Sequence, residues 1–135
     1  MQRELAGLLG GIIGGVIKLV IDQTAFASNI SKVDTVATFS LFAPGWFTYI
    51  IATGLVGWLV ARLISQEYVV SYFSSGIILG AILWGVMNVF FIITGVATPT
   101  WSMGIGSFIV NLVSHLVLGV VIVYTVARTQ IKVTE

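Results

Sequence analysis

Polar side chains inside long apolar stretches are the residues of this 135-residue chain whose chemistry requires an explanation. Lys18 and Asp22 stand four residues apart, so a helix would place them on one face as an ion pair. Asn111 and His115 repeat that spacing, and histidine changes charge near neutral pH. Such groups suit a site that binds a small solute, an ion or a lipid headgroup. The candidate ligand-binding residues are Lys18, Asp22, Tyr49, Asn88, Asn111 and His115.

The same residues also have a purely structural interpretation. Lys18 and Asp22 would then lock the first helix to its neighbours, and the asparagines would supply hydrogen bonds between helices. A single histidine on an apolar helix would be a packing residue. The sequence leaves open whether these side chains line a water-filled cavity or form a sealed network.

Several kinds of site are excluded or disfavoured by what the chain lacks. It contains no cysteine and one histidine, which removes thiolate metal sites, disulfides and thiol nucleophiles. Ser114 adjoins His115, but neighbouring side chains on a helix diverge, so no catalytic triad is indicated. We therefore expect no catalytic residues, no metal site, no cofactor and no enzyme activity. A net charge of +1 argues against a nucleic-acid partner.

The elements that must position these residues are membrane-spanning helices. Hydrophobic residues make up 58 % of the chain and charged residues 8 %, against about 25 % charged in soluble domains. Roughly 20 apolar residues span the hydrocarbon as helix. Four segments qualify, and we predict an all-α integral membrane protein, a compact bundle forming a single domain over residues 1–135. The predicted helices cover about 5–26, 46–64, 72–94 and 105–127.

The distribution of basic residues predicts the orientation of the chain. Arg3, Arg62, Arg128 and Lys132 fall on one side of the predicted bundle, and Lys32 falls on the other. Because basic residues favour the cytoplasmic side, both termini are predicted to be cytoplasmic.

In this orientation the candidate residues of all four helices fall at similar depth, in the outer half of the bundle. We expect a polar site there, open outward. The longest polar connection, residues 27–45, is a candidate for a short interfacial helix beside it. The predicted rim of the pocket consists of Trp46, Trp84 and Trp101.

Glycines recur every four residues along the first helix and again along the third. Small residues at this spacing let helix backbones approach closely in lipid. One interpretation is that these stripes are packing seams inside a single bundle. The other is that one stripe forms a homo-oligomer interface or borders a pore, and the candidate for the interface is Gly7, Gly11 and Gly15.

Two sets of motifs resemble known families. The first set is Gly76-x3-Gly80-x3-Trp84, the turn Thr98-Pro99-Thr100-Trp101, and Gly119-x4-Tyr124. It is similar to small four-helix bacterial membrane proteins of the YqhR type. The second set is Gly10-Gly11-x2-Gly14-Gly15-x2-Lys18 and His115-x3-Gly119, which looks more like inner-membrane proteins of the YagU type. The resemblance implies a bacterial inner-membrane location, and the suggested link of the YagU type to acid resistance would make His115 and Asp22 pH-responsive.

Two classes of function remain open from the sequence. The first is a small membrane transporter, channel or ligand-binding protein that uses the polar site and the lipid bilayer around it. The second is an accessory or assembly subunit of a larger membrane complex, with no chemistry of its own. A water-filled cavity would favour the first class, and a dry, fully hydrogen-bonded cluster would favour the second.

Overall fold

The computed structural model describes residues 2–40, 43–64 and 71–131, and these residues are all-helical, without strands. Four helices are long and apolar enough to cross a membrane. They are α1 (Gln2–Ala27), α3 (Gly45–Leu63), α4 (Tyr72–Thr94) and α5 (Ile105–Ile131). A single-turn helix, α2 (Thr35–Thr38), and a 3₁₀ turn (Thr100–Ser102) lie in the connections. The predicted connection at 65–71 lies outside the described residues except for Ser71.

Local sequence signals explain where these helices begin and end. The Asp34 side chain accepts a hydrogen bond from the Ala37 N–H at 3.1 Å and caps α2. Pro44 precedes α3, where its missing N–H costs nothing. Gly95 ends α4 in the left-handed conformation at φ 66°, and its N–H bonds to the Phe91 carbonyl at 2.9 Å.

Helices α1 and α5 form an antiparallel pair at the centre of the bundle, and α3 and α4 lie on the outside of this pair. Helix α3 packs on α1 and α4 packs on α5, whereas α3 touches α5 only slightly. Side chains of α3 and α4 meet over a core of Val60, Leu118 and Ile122. Toward the end where α1 finishes and α5 begins, called here the cavity end, the two outer helices leave a cleft between them.

Glycines form the seams between all three pairs of packed helices. A methyl group placed on Gly7 would meet the Gly57 carbonyl of α3, and one on Gly10 would meet Thr125 of α5. At the third seam, Gly119 of α5 lies against the backbone of Gly76 and Gly80. Without side chains at these positions, the backbones approach more closely than any larger residue would allow.

The stripe considered above as a homo-oligomer contact is used inside the chain. Gly7, Gly11 and Gly15 are buried, and all three face α3. A second copy therefore cannot reach this surface unless α3 moves away. In the structure, this stripe is an internal packing seam between α1 and α3.

The outer surfaces of the four helices are apolar, and the arginines lie at the end opposite the cavity. Exposed side chains such as Leu55 (57 %) and Ile93 (78 %) present hydrocarbon to the surroundings. Arg62 lies in the last turn of α3, and its Nε atom is 3.7 Å from the Oε1 atom of Glu4 in the first turn of α1. Arg128 lies in the last turn of α5, whereas Lys132 falls outside the described residues.

Candidate functional site

A polar cavity of about 230 Å³ lies at the cavity end of the bundle. Side chains from α1, α3, α4 and α5 form its walls, and the connection between α1 and α3 forms its roof. Of the six candidate ligand-binding residues, four line it: Lys18, Tyr49, Asn111 and His115.

Lys18 and Asp22 form a buried ion pair at the inner wall of the cavity. Both side chains are about 1 % exposed, and the four-residue spacing places them on the same face of α1. Lys18 lies nine residues before the end of α1, or about 13 Å along the helix axis. The Tyr49 ring of α3 lies 5.5 Å from the Lys18 Nζ atom, in range of a cation–π contact.

Asp22 lies behind the cavity wall and joins three helices. Its Oδ1 atom accepts a hydrogen bond from the Ser114 hydroxyl of α5 at 2.7 Å. Its Oδ2 atom accepts from the Thr35 hydroxyl of α2 at 3.1 Å and is also the atom paired with Lys18. A buried carboxylate with three donors is compensated both in charge and in hydrogen bonding. Asp22 therefore holds Lys18, α2 and α5 in fixed positions around the cavity.

A second network ties the turn between α4 and α5 to both helices. The Asn88 Oδ1 atom accepts from the Thr100 N–H at 2.6 Å, and the Thr100 hydroxyl lies 2.9 Å away. That hydroxyl also lies 3.0 Å from the Asn111 amide. Both contacts are to amide Oδ1 atoms, and since a hydroxyl has one proton, it donates to one of these two oxygens at a time. The network holds Thr100, which lines the cavity, against α4 and α5.

His115 reaches the cavity in a defined tautomer. Its Nδ1 atom lies 2.8 Å from the Asn111 backbone carbonyl oxygen. A carbonyl oxygen only accepts, so Nδ1 carries a proton and donates to it. In the neutral ring the Nε2 atom then has a free lone pair. Because His115 lines the cavity, this lone pair can accept a hydrogen bond from a bound group.

The connection after α1 folds over the cavity and is fixed on both sides. The Gln23 amide of α1 donates to the Asp34 carboxylate at 3.2 Å and accepts from the Thr35 N–H at 3.1 Å. The Lys32 N–H donates to the Ser107 hydroxyl of α5 at 2.8 Å. The expected short helix is present in this connection as α2, and it forms part of the roof.

The two other candidate ligand-binding residues, Asp22 and Asn88, do not line the cavity. They are 1 % and 0 % exposed and lie behind its wall. Their hydrogen bonds position residues that do line it, namely Lys18, Thr35 and Thr100.

The tryptophans predicted to form the pocket rim lie elsewhere. Trp46 is 53 % exposed at the start of α3 and packs edge-on against Phe47. Trp84 packs edge-on against Trp101 and Phe108, and none of these three residues lines the cavity. The aromatic residue of the roof that does line the cavity is Phe39. Its ring packs against Tyr49, with ring centroids 5.1 Å apart.

Sequence reasoning missed three hydroxyl residues of the site: Thr35, Thr100 and Ser114. Each donates a hydrogen bond to a buried side chain that is at least 12 residues away in the sequence. Ser114 and Asp22, for example, are 92 residues apart. Serine and threonine are common throughout membrane helices, so their type carries little signal. A usable signal for Ser114 is its position three residues after Asn111, which puts the two on one helix face.

An apolar cleft of about 360 Å³ adjoins the polar cavity. It lies between α3 and α4, with His115 and Leu118 of α5 as its floor. Four residues line both spaces: Phe39, Tyr49, Met87 and His115. The polar cavity and the apolar cleft therefore adjoin at these four side chains, and the two spaces together are called here the recess.

Comparison with known proteins adds no assignment to this geometry. No protein-family model, no curated protein and no solved structure matches the chain.

Proposed function

We propose that this chain is a multi-pass protein of a bacterial inner membrane that binds a small ligand in the polar cavity. Four apolar helices support membrane insertion. Arg3, Arg62 and Arg128 at one end of the bundle, against Lys32 at the other, support cytoplasmic termini and a cavity on the outer side. The YqhR/YagU resemblance supports the same location.

The observation that carries the proposal is unused hydrogen-bonding capacity at the cavity wall. The Lys18 ammonium has three N–H donors, and among the described residues only Asp22 accepts from it. The His115 Nε2 atom offers an acceptor on the same cavity. Buried polar groups are normally satisfied, so a donor and an acceptor facing one cavity indicate a polar occupant.

Binding is the part of a transport cycle that this arrangement supports directly. The recess ends at the core of Val60, Leu118 and Ile122, which are at most 9 % exposed. Passage of a ligand to the other side would require α3 or α4 to separate from this core. A small transporter that alternates between two arrangements of its outer helices is the form of transport compatible with this geometry.

The experiment that tests the proposal measures whether water enters the cavity. The chain contains no cysteine, so single cysteines can be introduced without background. His115→Cys lies on the cavity, and Leu55→Cys lies on the lipid-facing side of α3. Both are ten residues from the cavity end of their helices, or about 15 Å along the axis.

In proteoliposomes, a membrane-impermeant thiol reagent added outside should modify His115→Cys much faster than Leu55→Cys, because only water in the cavity supports thiolate formation and reagent access. A glycerol or sugar probe that occupies the cavity should slow the reaction. Equally slow modification at both positions would show a sealed network and would contradict ligand binding.

A second candidate function, an accessory subunit of a larger membrane complex, is favoured by one feature of α4. Only 22 % of its apolar stretch is buried, and its main packing partner is α5. Gly85 on this helix has open space where a side chain would lie, so another helix could approach closely. This function predicts a dry cavity and a cross-link from Gly85→Cys to a partner helix.

A further inference from the structure

The recess changes from polar to apolar along its length. The polar cavity contains Lys18, Asn111 and His115, whereas the adjoining cleft is walled by Ala52 and Val56 on one side and Leu83, Val86 and Phe90 on the other. The change takes place at His115 and Met87, which belong to both parts. A ligand that fills the whole recess must itself have a polar end and an apolar end.

The cleft has the dimensions of a groove for a chain. Its α3 wall runs from Tyr49 to Val56 and its α4 wall from Leu83 to Phe90, each about 10 Å along the helix. The core of Val60, Leu118 and Ile122 closes its inner end. Since α3 and α4 make no extensive contact, its side is open to whatever surrounds the helices. In a membrane, that surrounding is lipid acyl chain.

The charges around the polar cavity cancel in pairs. Lys18 is neutralised by Asp22, and Lys32 and Asp34 bring opposite charges to the roof. Among the described residues of the cavity lining, no unpaired charge is therefore available to bind a ligand head that carries a net charge. The cavity lining includes the unused donors on Lys18 and the Nε2 acceptor on His115, and together these two groups match a hydroxyl group.

We propose that the ligand is a single-chain amphiphile of the bilayer with an uncharged, hydroxylated head. The head occupies the polar cavity beside Lys18 and His115, and the chain lies in the apolar cleft between α3 and α4. This inference rests on the proposed function, and it names the ligand class and the lateral route by which the ligand enters.

Two methionines allow the two halves of the recess to be observed separately. Met103 lines only the polar cavity, whereas Met87 lines both parts and faces the cleft. The chain has three methionines, so a protein with ¹³C-labelled methionine methyl groups gives a simple NMR spectrum. The sample is the full chain in nanodiscs of phosphatidylcholine with deuterated acyl chains, and the probes are monolauroylglycerol and glycerol.

Monolauroylglycerol should shift the signals of both methionines and give cross-peaks between its chain protons and the Met87 methyl group. Glycerol, which has the head without the chain, should shift Met103 and should shift Met87 less than monolauroylglycerol does, because Met87 lines both parts of the recess. If both probes shift Met103 but no chain cross-peak reaches Met87, the cavity binds polar ligands and the amphiphile inference fails alone. If neither probe shifts either signal, the inference also fails, and the cysteine experiment decides the proposed function independently.

A pair of substitutions locates the chain. Ala52→Phe adds bulk inside the cleft without touching the polar cavity, whereas Leu55→Phe adds the same group on the lipid-facing side of α3. We expect Ala52→Phe to abolish the Met87 cross-peaks and to preserve the glycerol shift at Met103, which also shows that the variant is folded. Leu55→Phe should preserve both. Cross-peaks that survive Ala52→Phe would place the chain elsewhere and overturn the inference.

Discussion

Adding one methyl group to α4 should have opposite effects at two glycines five residues apart. At Gly80 a Cβ atom would lie 2.5 Å from the Leu116 Cα atom and closer still to the His115 carbonyl oxygen. At Gly85 a Cβ atom would have nothing within 4 Å. Gly80→Ala therefore forces α4 and α5 apart, whereas Gly85→Ala fills open space.

The magnitude follows from two contributions. Replacing glycine by alanine inside a helix favours the helix by about 1 kcal/mol, and this gain applies at both positions. Overpacking costs about 1–3 kcal/mol, and it applies only at Gly80, where backbone atoms would have to shift by about 1 Å to reach ordinary contact. The difference in free energy of unfolding between the two variants should be about 2 kcal/mol, with Gly85→Ala the more stable.

The measurement is reversible unfolding in mixed micelles, followed by circular dichroism, with wild type and both variants side by side. Gly80→Ala should also move His115 and so change the NMR signal of its ring, whereas Gly85→Ala should not. Equal free energies of unfolding for the two variants would mean that α4 and α5 can move apart without an energetic cost. That result would refute the claim that glycine is required there for close backbone approach.

Three further predictions concern the polar network. Lys18→Met or Asp22→Leu alone should lower the free energy of unfolding by about 3–5 kcal/mol, because each leaves an uncompensated buried charge. In the same unfolding assay, the double variant should cost clearly less than the sum of the two single variants. Ser114→Ala should cost about 1–3 kcal/mol, because Asp22 loses a donor at a buried position. Neutral His115 should carry its proton on Nδ1, because that atom donates to the Asn111 carbonyl; the ¹⁵N shifts of the imidazole ring report this tautomer directly.

The controls for these variants come from the same chain. Ser102→Ala removes a hydroxyl that bonds only to the exposed Pro99 carbonyl, so it should be nearly neutral. Additive costs for the Lys18 and Asp22 substitutions would contradict a direct ion pair. A neutral ring with its proton on Nε2 would contradict a hydrogen bond from His115 Nδ1–H to the Asn111 carbonyl.

The helices could be predicted because the signals that define them are local. The third predicted helix, 72–94, coincides with α4, and the first, second and fourth begin or end within four residues of α1, α3 and α5. Stretches of about 20 apolar residues, together with Pro44, Gly95 and Gly104 at their limits, contain this information without reference to the rest of the chain. The similar depth of Lys18 and His115 followed from counting residues along these helices.

The order of helices was decided only by the tertiary structure. Helices α1 and α4 carry glycines at four-residue spacing, α3 carries Gly54 and Gly57, and α5 carries Gly106 and Gly119, so the pattern fits several pairings equally well. Shape complementarity between whole faces selects α1 and α5 as the central pair. Because α1 and α5 form the central pair, a cleft remains between α3 and α4, and no local sequence pattern predicts this cleft.

The sequence by itself therefore determined the apolar character of the helices, their number and the polar residues that need an explanation, because hydrophobicity and helical periodicity are properties of consecutive residues. The tertiary structure decided which of those residues face the cavity and which support it from behind. Lys18 lines the cavity, whereas Asp22, one turn later on the same face, is covered by Ser114 and Thr35. That distinction depends on partners up to 92 residues away, and contacts of that range arise only when the helices pack.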